Sequence, residues 1–426
     1  MLARKMKRIF HGWWMVGAGC AMQFLQSCLL LQAFGAYVAV LRDDRGWSKT
    51  ELAGAAALHQ VEAAILGPLL GWVIDRFGAQ GVIRAGVIVF GIGFMLLSQV
   101  DSLLGFYGAF IVVALGASLG GFFPLNVALI HWFERKRARA LSSMQLGFAL
   151  GGIAMPAVAW SLAANGWRAT AFASGVIVLV FGFPLSLVMR RRPEDFGETV
   201  DGGPAPAPSG AGAQPGAAGE ARDFTAREAL RTPAFWLLAF GHGSALFVVS
   251  AVNVHAITHM KEGLGFSLEA ASLVIMLQTL SQIGGIALGW AVGDRYDKRH
   301  LSAGCMLMHM AGMLCLTYAD ALASAGTAMV VAFALLHGGA WGLRGPFMQA
   351  MRADYFGRSA IGLILGLSFM IVVLGQIGGA MISGILADAT GNYRAGFTVV
   401  SLLAGLGSVF FLLARRPAPR LRAPSN

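Results

Sequence analysis

Apolar stretches of about 20 residues recur along the whole chain, separated by short polar or basic segments. A helix of about 20 apolar residues crosses the hydrocarbon core of a bilayer, and each stretch is long enough to do so. The stretches lack the polar–apolar alternation of membrane β-barrel strands. Helices satisfy their backbone groups internally, so they are the expected spanning element. The pattern predicts an all-α membrane protein with about twelve spans in two groups of six, at residues 12–40, 50–74, 80–100, 103–131, 138–163, 168–189, 233–259, 267–293, 300–319, 324–351, 359–386 and 393–414.

A segment rich in Gly, Pro and Ala, Glu198–Arg222, separates the two groups and is typical of a flexible linker. The amphipathic segment Phe224–Leu230 is a candidate for a short interfacial helix. The first apolar run is too long for a signal peptide, so we expect it to be retained. The predicted organisation is an N-terminal six-helix bundle at 1–190, a cytoplasmic linker at 191–232, a C-terminal six-helix bundle at 233–415 and a cytoplasmic tail at 416–426.

Composition supports a membrane protein, because 57% of residues are hydrophobic and 12% are charged, about half the roughly 25% of soluble proteins. The net charge is nevertheless +11. Most basic residues fall in loops on one side of the predicted membrane, among them Arg135, Lys136, Arg137 and Arg139, and further on Arg352 and Arg358. Such loops stay in the cytoplasm, which places both termini and the linker there. The spread over many short loops argues against a nucleic-acid site.

The sequence contains no Walker loop for ATP hydrolysis and no His-Glu-x-x-His metalloprotease motif. The four cysteines lie inside spans without metal or redox spacing, which favours a packing role. The sequence therefore predicts no enzyme, no cofactor and no metal. Transport energy would come from an ion or solute gradient, with the proton as the default ion.

The two halves repeat each other weakly. Gly71–Arg76 ends the second span, and Gly289–Arg295 ends the eighth with one residue inserted. Like features recur six spans apart in the same orientation, which fits two parallel halves related by an axis along the membrane normal. A binding site would lie between the halves near the midplane.

The loop after the second span and several Trp-containing segments resemble those of a known family. The motif Gly71-x-x-x-Asp75-Arg76-x-Gly78 resembles the loop motif of the major facilitator superfamily, although Ala79-Gln80 replaces its usual basic pair. Within that superfamily, the chain is most similar to the monocarboxylate and oxalate/formate transporter group, through Gly12-Trp13-Trp14, Gly46-Trp47-Ser48 and Trp132–Leu141. The resemblance implies that four charged residues at cytoplasmic helix ends latch the halves in one conformation, namely Asp75, Arg76, Asp294 and Arg295. The alternative is that they are solvated loop charges.

One departure from that group concerns the eighth span. The group commonly carries an Arg there, a few residues before the Gly-Trp, that pairs with the substrate carboxylate. Gly285 stands at that position here, before Gly289-Trp290.

Arg344 is the strongest candidate for substrate binding. It lies ten positions before Asp354, about 15 Å from the inner end of the tenth span and so near mid-depth. An ionisable group at that depth is costly and indicates function. His337 and Trp341 share its helix face, and a guanidinium beside an imidazole and an indole suits a planar organic anion. The alternative is a structural Arg that ties backbone carbonyls together.

His59 and Glu62 form a second group, spaced i, i+3 on the second span. A buried Glu and a nearby His can both titrate near neutrality, so together they could carry a coupling proton. The alternative is a Glu that bonds neighbouring helices or faces external water.

Amides inside spans complete the candidates. Gln23, Gln26, Asn126, Gln278 and Gln282 either line the substrate site or hold helices together. Asn253 and His255 lie in the outer half of the seventh span, at a mouth or gate position, and His242 and His309 are as open to packing as to function. In the fifth span, small residues at every fourth position favour close helix packing.

The leading hypothesis is a transporter that moves a small organic anion, a mono- or dicarboxylate, across the inner membrane by alternating access, as a proton symporter or by exchange. Expected partners are the anion, a proton or counter-solute, and the lipid bilayer, with no nucleic acid and with a monomeric chain. One alternative is an exporter of drugs or hydrophobic metabolites by proton antiport. Another is a solute sensor that does not transport.

Overall fold

The computed structural model describes residues 9–47, 49–203, 221–321, 326–418 and 420–421. The centre of the predicted linker, residues 204–220, and residues 422–426 of the predicted tail lie outside the described residues. Ten helical stretches of the described chain are long and apolar enough to cross a membrane. One of them, Arg137–Leu187, contains two spans, because Gly166 interrupts it with a left-handed φ of 77°. The helix Lys49–Phe77 covers the predicted second span, so the described helices are consistent with the predicted fold of about twelve membrane helices.

The first six spans contain eight α-helices: α1 His11–Gln26, α2 Phe34–Arg45, α3 Lys49–Phe77, α4 Ala79–Leu97, α5 Leu103–Gly120, α6 Phe122–Trp132, α7 Arg137–Ile177 and α8 Phe183–Leu187. Two π-helical segments, Ser27–Leu31 and Val178–Gly182, lie between α1 and α2 and between α7 and α8.

The remaining helices are α9 Ala226–Leu230, α10 Pro233–Glu262, α11 Leu268–Val292, α12 Lys298–Thr317, α13 Gly326–Phe356, α14 Ile361–Thr390 and α15 Arg394–Leu413. Short 3-10 turns occupy Glu194–Phe196, Val200–Gly202 and Ala319–Ala321, and two-residue strands occupy β1 Ala221–Arg222 and β2 Arg420–Leu421.

The chain forms two compact units. Unit 1 contains Met1–His59, Arg76–Ala221 and Leu421–Asn426, and unit 2 contains Gln60–Asp75 and Arg222–Arg420. Residues 60–75 of α3 thus belong to unit 2. The bundle boundaries predicted from the sequence stay a prediction.

Glycines let helices approach closely in unit 1. A Cβ at Gly147 of α7 would overlap the Cys20 carbonyl of α1, and one at Gly151 would lie 2.6 Å from the Ser27 Cβ. The Ser27 hydroxyl donates a hydrogen bond of 2.7 Å to the Phe148 carbonyl at the same crossing. The small residues of the fifth span therefore serve packing, as the sequence favours.

The same device joins α11 to α13 in unit 2. A Cβ at Gly338 or Gly342 of α13 would overlap the carbonyls of Gln278 or Gln282 of α11. The face of α13 that carries Gly338 and Gly342 therefore packs closely against α11.

The described ends of the predicted linker are ordered. In unit 1, the Asp201 carboxylate accepts the backbone N–H of Arg135 at 2.8 Å and those of Glu134 and Lys136 at 3.2–3.3 Å. In unit 2, Asp223 accepts the N–H groups of Arg358 and Ser359 at 2.8 and 3.0 Å and the Ser359 hydroxyl at 2.7 Å. Burial alone would raise the pKa of Asp223, but these hydrogen bonds outweigh it and lower that pKa. Each described end of the linker thus accepts hydrogen bonds from backbone N–H groups of a loop that carries basic residues.

Two arginines that the sequence assigns to solvated cytoplasmic loops are instead buried. Arg137 and Arg352 are each 2% exposed. The predicted tenth span ends at residue 351, whereas α13 continues to Phe356, so Arg352 lies within the helix.

Candidate functional site

A cluster of polar side chains lies inside unit 2, where α12 and α10 pack against α13. His337 and Arg344 come from α13, His309 and Cys305 from α12, and His242 from α10. His337 and Arg344 are seven residues apart, which places them on one helix face two turns from each other. Among these five side chains, His309, His337, Arg344 and Cys305 are at most 1% exposed, and His242 is partly exposed.

The two buried histidines contact each other directly. The Nδ1 atoms of His309 and His337 are 3.1 Å apart, and the ring centroids are 4.6 Å apart. A hydrogen bond between two imidazole nitrogens needs one donor and one acceptor, so the pair shares one proton. Neither Nε2 atom has a hydrogen-bond partner among the described residues.

Arg344 lies beside this pair, and no carboxylate of the described residues neutralises its charge. Its Nε and Nη1 atoms have no hydrogen-bond partner in the described part of the chain. Its charge acts on His242, His309 and His337. None of the ion pairs found among the described residues involves Arg344.

Trp341 lies between His337 and Arg344 along α13. Its ring centroid is 6.3 Å from that of His337, and the residue is partly exposed. The structure therefore brings the predicted trio onto one segment of α13, with the guanidinium and imidazole buried.

Arg352 is a buried residue that sequence reasoning missed. Its guanidinium donates to the Ser368 hydroxyl of α14 at 2.6 and 3.0 Å, to the Met348 carbonyl at 2.6 Å and to the Leu238 carbonyl of α10 at 3.2 Å. Arg352 thus holds α10, α13 and α14 together. The signal that could have found it is that apolar and aromatic residues continue on both sides of it, at Met351, Ala353, Tyr355 and Phe356.

The predicted amides of α11 are also buried. Gln278 and Gln282 are 3% and 5% exposed, and Gln278 Oε1 and Gln282 Nε2 have no partner among the described residues. One turn further on, a Cβ at Gly285 would overlap the Gly339 carbonyl of α13. An Arg therefore does not fit at position 285, because α13 occupies its space.

Two of the predicted amides of unit 1, Gln26 and Asn126, lie near a break between α5 and α6. Gln26 donates to the Ala117 carbonyl at 3.0 Å, one turn before Gly121, where the helix is interrupted. Asn126 donates to the Phe122 carbonyl at 2.6 Å. Gln23 is 1% exposed, and its Nε2 has no partner among the described residues. Gln26 and Asn126 thus support local backbone.

His59 and Glu62 both lie on the continuous helix α3, so their predicted i, i+3 spacing is present. Each is partly exposed. His59 belongs to unit 1 and Glu62 to unit 2, and the proton-coupling assignment stays a prediction.

Asp75 satisfies the start of a helix. Its carboxylate accepts the backbone N–H groups of Gly362 and Leu363 at 2.8 Å each, the free amides at the beginning of α14. A carboxylate at a helix N-terminus is stabilised both by these bonds and by the helix dipole. Close packing brings α3 to this position, because a Cβ at Gly71 would overlap the Gly362 carbonyl.

The other predicted gating residues have separate surroundings. The Arg76 carbonyl accepts a bond of 3.1 Å from Arg191, and Asp294 and Arg295 lie in the turn between α11 and α12. Asn253 is exposed on α10, whereas the His255 ring bonds the Ala380 carbonyl of α14 at 2.9 Å. His255 therefore joins two helices of unit 2.

Comparison with known proteins gives one family. A family model described as the Major Facilitator Superfamily matches residues 20–321 and 238–426. The chain is 28% identical over 362 residues to MFS transporter asaE of Aspergillus flavus, covering 82% of this chain and 74% of that protein. It is 27% identical over 414 residues to Monocarboxylate transporter 13 of Bos taurus (94% and 89% covered) and 22% identical over 394 residues to the oxalate:formate antiporter of Oxalobacter formigenes (91% and 87%).

Among solved structures, the proton:xylose symporter XylE is similar with a TM-score of 0.72 and 14% sequence identity, covering 94% of this chain and 95% of that one. The similarity at this identity concerns the fold. Together the comparisons confirm the resemblance that the loop motif and the Trp-rich segments of the first half indicate.

Proposed function

Because the chain belongs to the Major Facilitator Superfamily and is a multi-pass membrane protein that transports a solute, we propose that this solute is a small organic anion, a mono- or dicarboxylate. Transport proceeds by alternating access, as proton symport or by exchange. The membrane is a bacterial-type inner membrane, and both termini lie in the cytoplasm.

The observation that carries the proposal is that Arg344 is buried and forms no ion pair among the described residues. Leaving one member of a buried ion pair without its partner costs about 3–5 kcal/mol. Arg344 is 1% exposed, and two of its nitrogen atoms have no partner among the described residues. An anion that reaches Arg344 supplies the negative charge that would pair with the guanidinium. A neutral solute does not, so anions bind in preference to neutral solutes.

The chemistry of the surrounding residues favours a carboxylate. A guanidinium donates two parallel hydrogen bonds to a carboxylate, which a spherical anion cannot accept in the same way. His337 and Trp341 supply flat surfaces on the same helix segment. The relatives named for monocarboxylates and for oxalate and formate support the same class of substrate.

The remaining assignments complete the proposal. Gln278 and Gln282 add amides on α11, and Gln23, Gln26 and Asn126 add amides in unit 1. Glu62 with His59 is the proposed proton path. Asp75 bonds the start of α14 in the present conformation, and we expect this cap to break when the conformation changes; Arg76, Asp294, Arg295, Asn253 and His255 are proposed to take part in the same gating.

Binding by the purified protein tests the anchor. A thermal-shift screen against formate, acetate, lactate, oxalate and succinate selects the tightest carboxylate, and calorimetry then gives its Kd. We expect Arg344→Ala to weaken binding about 10- to 100-fold, the loss of a charge-assisted hydrogen bond. Arg344→Lys keeps the charge without the paired bonds, so its binding should remain at least several-fold weaker than that of the unsubstituted protein.

Arg394→Ala is the matched control, since Arg394 forms an exposed ion pair with Asp320 at 2.5 Å, away from the cluster. Carboxylate binding of equal strength in the Arg344→Ala and Arg394→Ala proteins would contradict the assignment. Tight binding of uncharged hydrophobic compounds, without any carboxylate, would favour an exporter instead.

A further inference from the structure

We propose that the His309–His337 pair is the proton-carrying site of this transporter and that it takes up its proton when an anion binds Arg344. The inference rests on the proposed role of Arg344 as the anion anchor. It places coupling inside unit 2 and is an alternative to the proton path through His59 and Glu62 on α3, from which the experiment below distinguishes it.

The hydrogen bond defines where a proton can add. In the neutral pair, the ring that donates through Nδ1–H has an unprotonated Nε2, and the ring that accepts through Nδ1 carries its proton on Nε2. The 3.1 Å Nδ1–Nδ1 bond therefore leaves one basic nitrogen and one N–H. Both Nε2 atoms lack a partner among the described residues, so an added proton would occupy the basic Nε2 without breaking a bond of the fold.

The charges around the pair couple the proton to the anion. Arg344 acts on both rings, and His337 acts on His309. No carboxylate acts on either ring among the described residues. Burial away from water and a neighbouring positive charge both disfavour a charged imidazole, and an anion bound to Arg344 removes the second of these two effects.

The other polar groups near the pair do not couple its protonation to anion binding in this way. His242 of α10 and Cys305 of α12 lie within the field of Arg344, and Arg352 also acts on His242. The guanidinium of Arg352 is held by hydrogen bonds to Ser368, Met348 and Leu238 and is not available to an anion. The buried amides of the adjacent helix α11, Gln278 and Gln282, carry no charge.

The size of the coupling follows from helix geometry. Seven residues separate His337 from Arg344, which corresponds to about 10 Å along the axis. At an effective dielectric constant of about 20, a charge at this distance changes proton affinity roughly tenfold. Anion binding and proton binding should therefore strengthen each other by the same factor, because linkage is reciprocal.

The test measures proton uptake on addition of oxalate to purified protein in weakly buffered detergent, together with the oxalate Kd across pH 5–8. The unsubstituted protein should take up protons when oxalate binds. Its Kd for oxalate should fall roughly tenfold as the pH is lowered, because a protonated pair favours the bound anion. His309→Gln should bind oxalate without proton uptake and with a nearly constant Kd. His337→Gln and the double variant also change the substrate site, so their oxalate affinity can differ, but they should lose the proton uptake that accompanies binding. An amide can still donate or accept across the pair, so the single variants remain informative if the double variant does not fold.

His259→Gln is the matched control, because His259 is a buried histidine of unit 2 whose ring bonds the Leu316 carbonyl at 3.1 Å. It should retain proton uptake. Retained uptake in the His309 and His337 variants, or its loss in Glu62→Gln alone, would overturn the inference. If oxalate and the other carboxylates do not bind the unsubstituted protein, the proposed function itself fails, and the two failures are thereby distinguished.

A second measurement needs no substitution. Hydrogen–deuterium exchange at the C2 position of each histidine, followed by mass spectrometry, gives the titration of each ring separately. Addition of oxalate should shift the titration midpoint of His309 or His337 to a roughly tenfold lower proton concentration. The midpoint of His259 should stay unchanged. Unchanged titration of both His309 and His337 would contradict the proposal.

Discussion

Arg344 and Arg352 are eight residues apart on α13 and are both buried, yet their surroundings differ. Arg352 bonds a hydroxyl and two carbonyls from three helices, whereas Arg344 has two nitrogen atoms without a partner in the described chain. The sequence identifies Arg344 because it interrupts an apolar run. It does not identify Arg352, since the end of a span cannot be located to a few residues from hydropathy alone.

This difference predicts opposite effects on stability. Arg352→Ala leaves the Ser368 hydroxyl and two buried carbonyls without their donor, and we expect a loss of about 2–4 kcal/mol in the free energy of unfolding. Arg344→Ala removes an uncompensated buried charge, so the protein without ligand should be at least as stable as the unsubstituted one. Thermal unfolding in detergent measures both.

The exposed pair Arg394–Asp320 again supplies the control, with an expected loss of about 0–1 kcal/mol for Arg394→Ala. A strong loss of stability in Arg344→Ala, comparable with that of Arg352→Ala, would identify Arg344 as a structural residue.

At the scale of helices, one face of α13 packs on α11 through glycines and another carries the polar cluster. Helical spacing in the sequence predicts that His337, Trp341 and Arg344 share a face. It does not predict which helix that face meets, so the contact of His337 with His309 could not be foreseen. The same limit applies to Gly285, whose position suggests a lost arginine but whose neighbour is the backbone of α13.

Neighbouring glycines of α11 test this packing. A Cβ at Gly285 would overlap the Gly339 carbonyl, whereas a Cβ at Gly284 meets nothing within 4 Å. We expect Gly285→Ala to lower the free energy of unfolding by about 1–3 kcal/mol. Gly284→Ala should be neutral or slightly stabilising, because Ala favours helix by up to about 1 kcal/mol. Equal thermal unfolding of the two variants would show that α11 and α13 do not pack as closely as described.

At the scale of the whole molecule, the twelve spans were predictable because a bilayer fixes the length and polarity of each segment. The contacts within each unit were not, since they depend on pairs of residues far apart in the chain. Gln60–Asp75 lies with unit 2 through contacts such as that of Asp75 with the start of α14. The motif Gly71–Gly78 signals this region in the sequence without showing its partner.

Uptake of radiolabelled carboxylate by proteoliposomes tests the central claim most directly. The labelled substrate is the carboxylate selected by the binding screen, and the liposomes have either an acidic exterior or a preloaded interior. Under these conditions, the unsubstituted protein should accumulate label above the external concentration. Arg344→Ala should reduce uptake to the level of protein-free liposomes, and Arg394→Ala should not. Uptake no greater than that of protein-free liposomes, or equal uptake by the Arg344→Ala protein, would contradict the account.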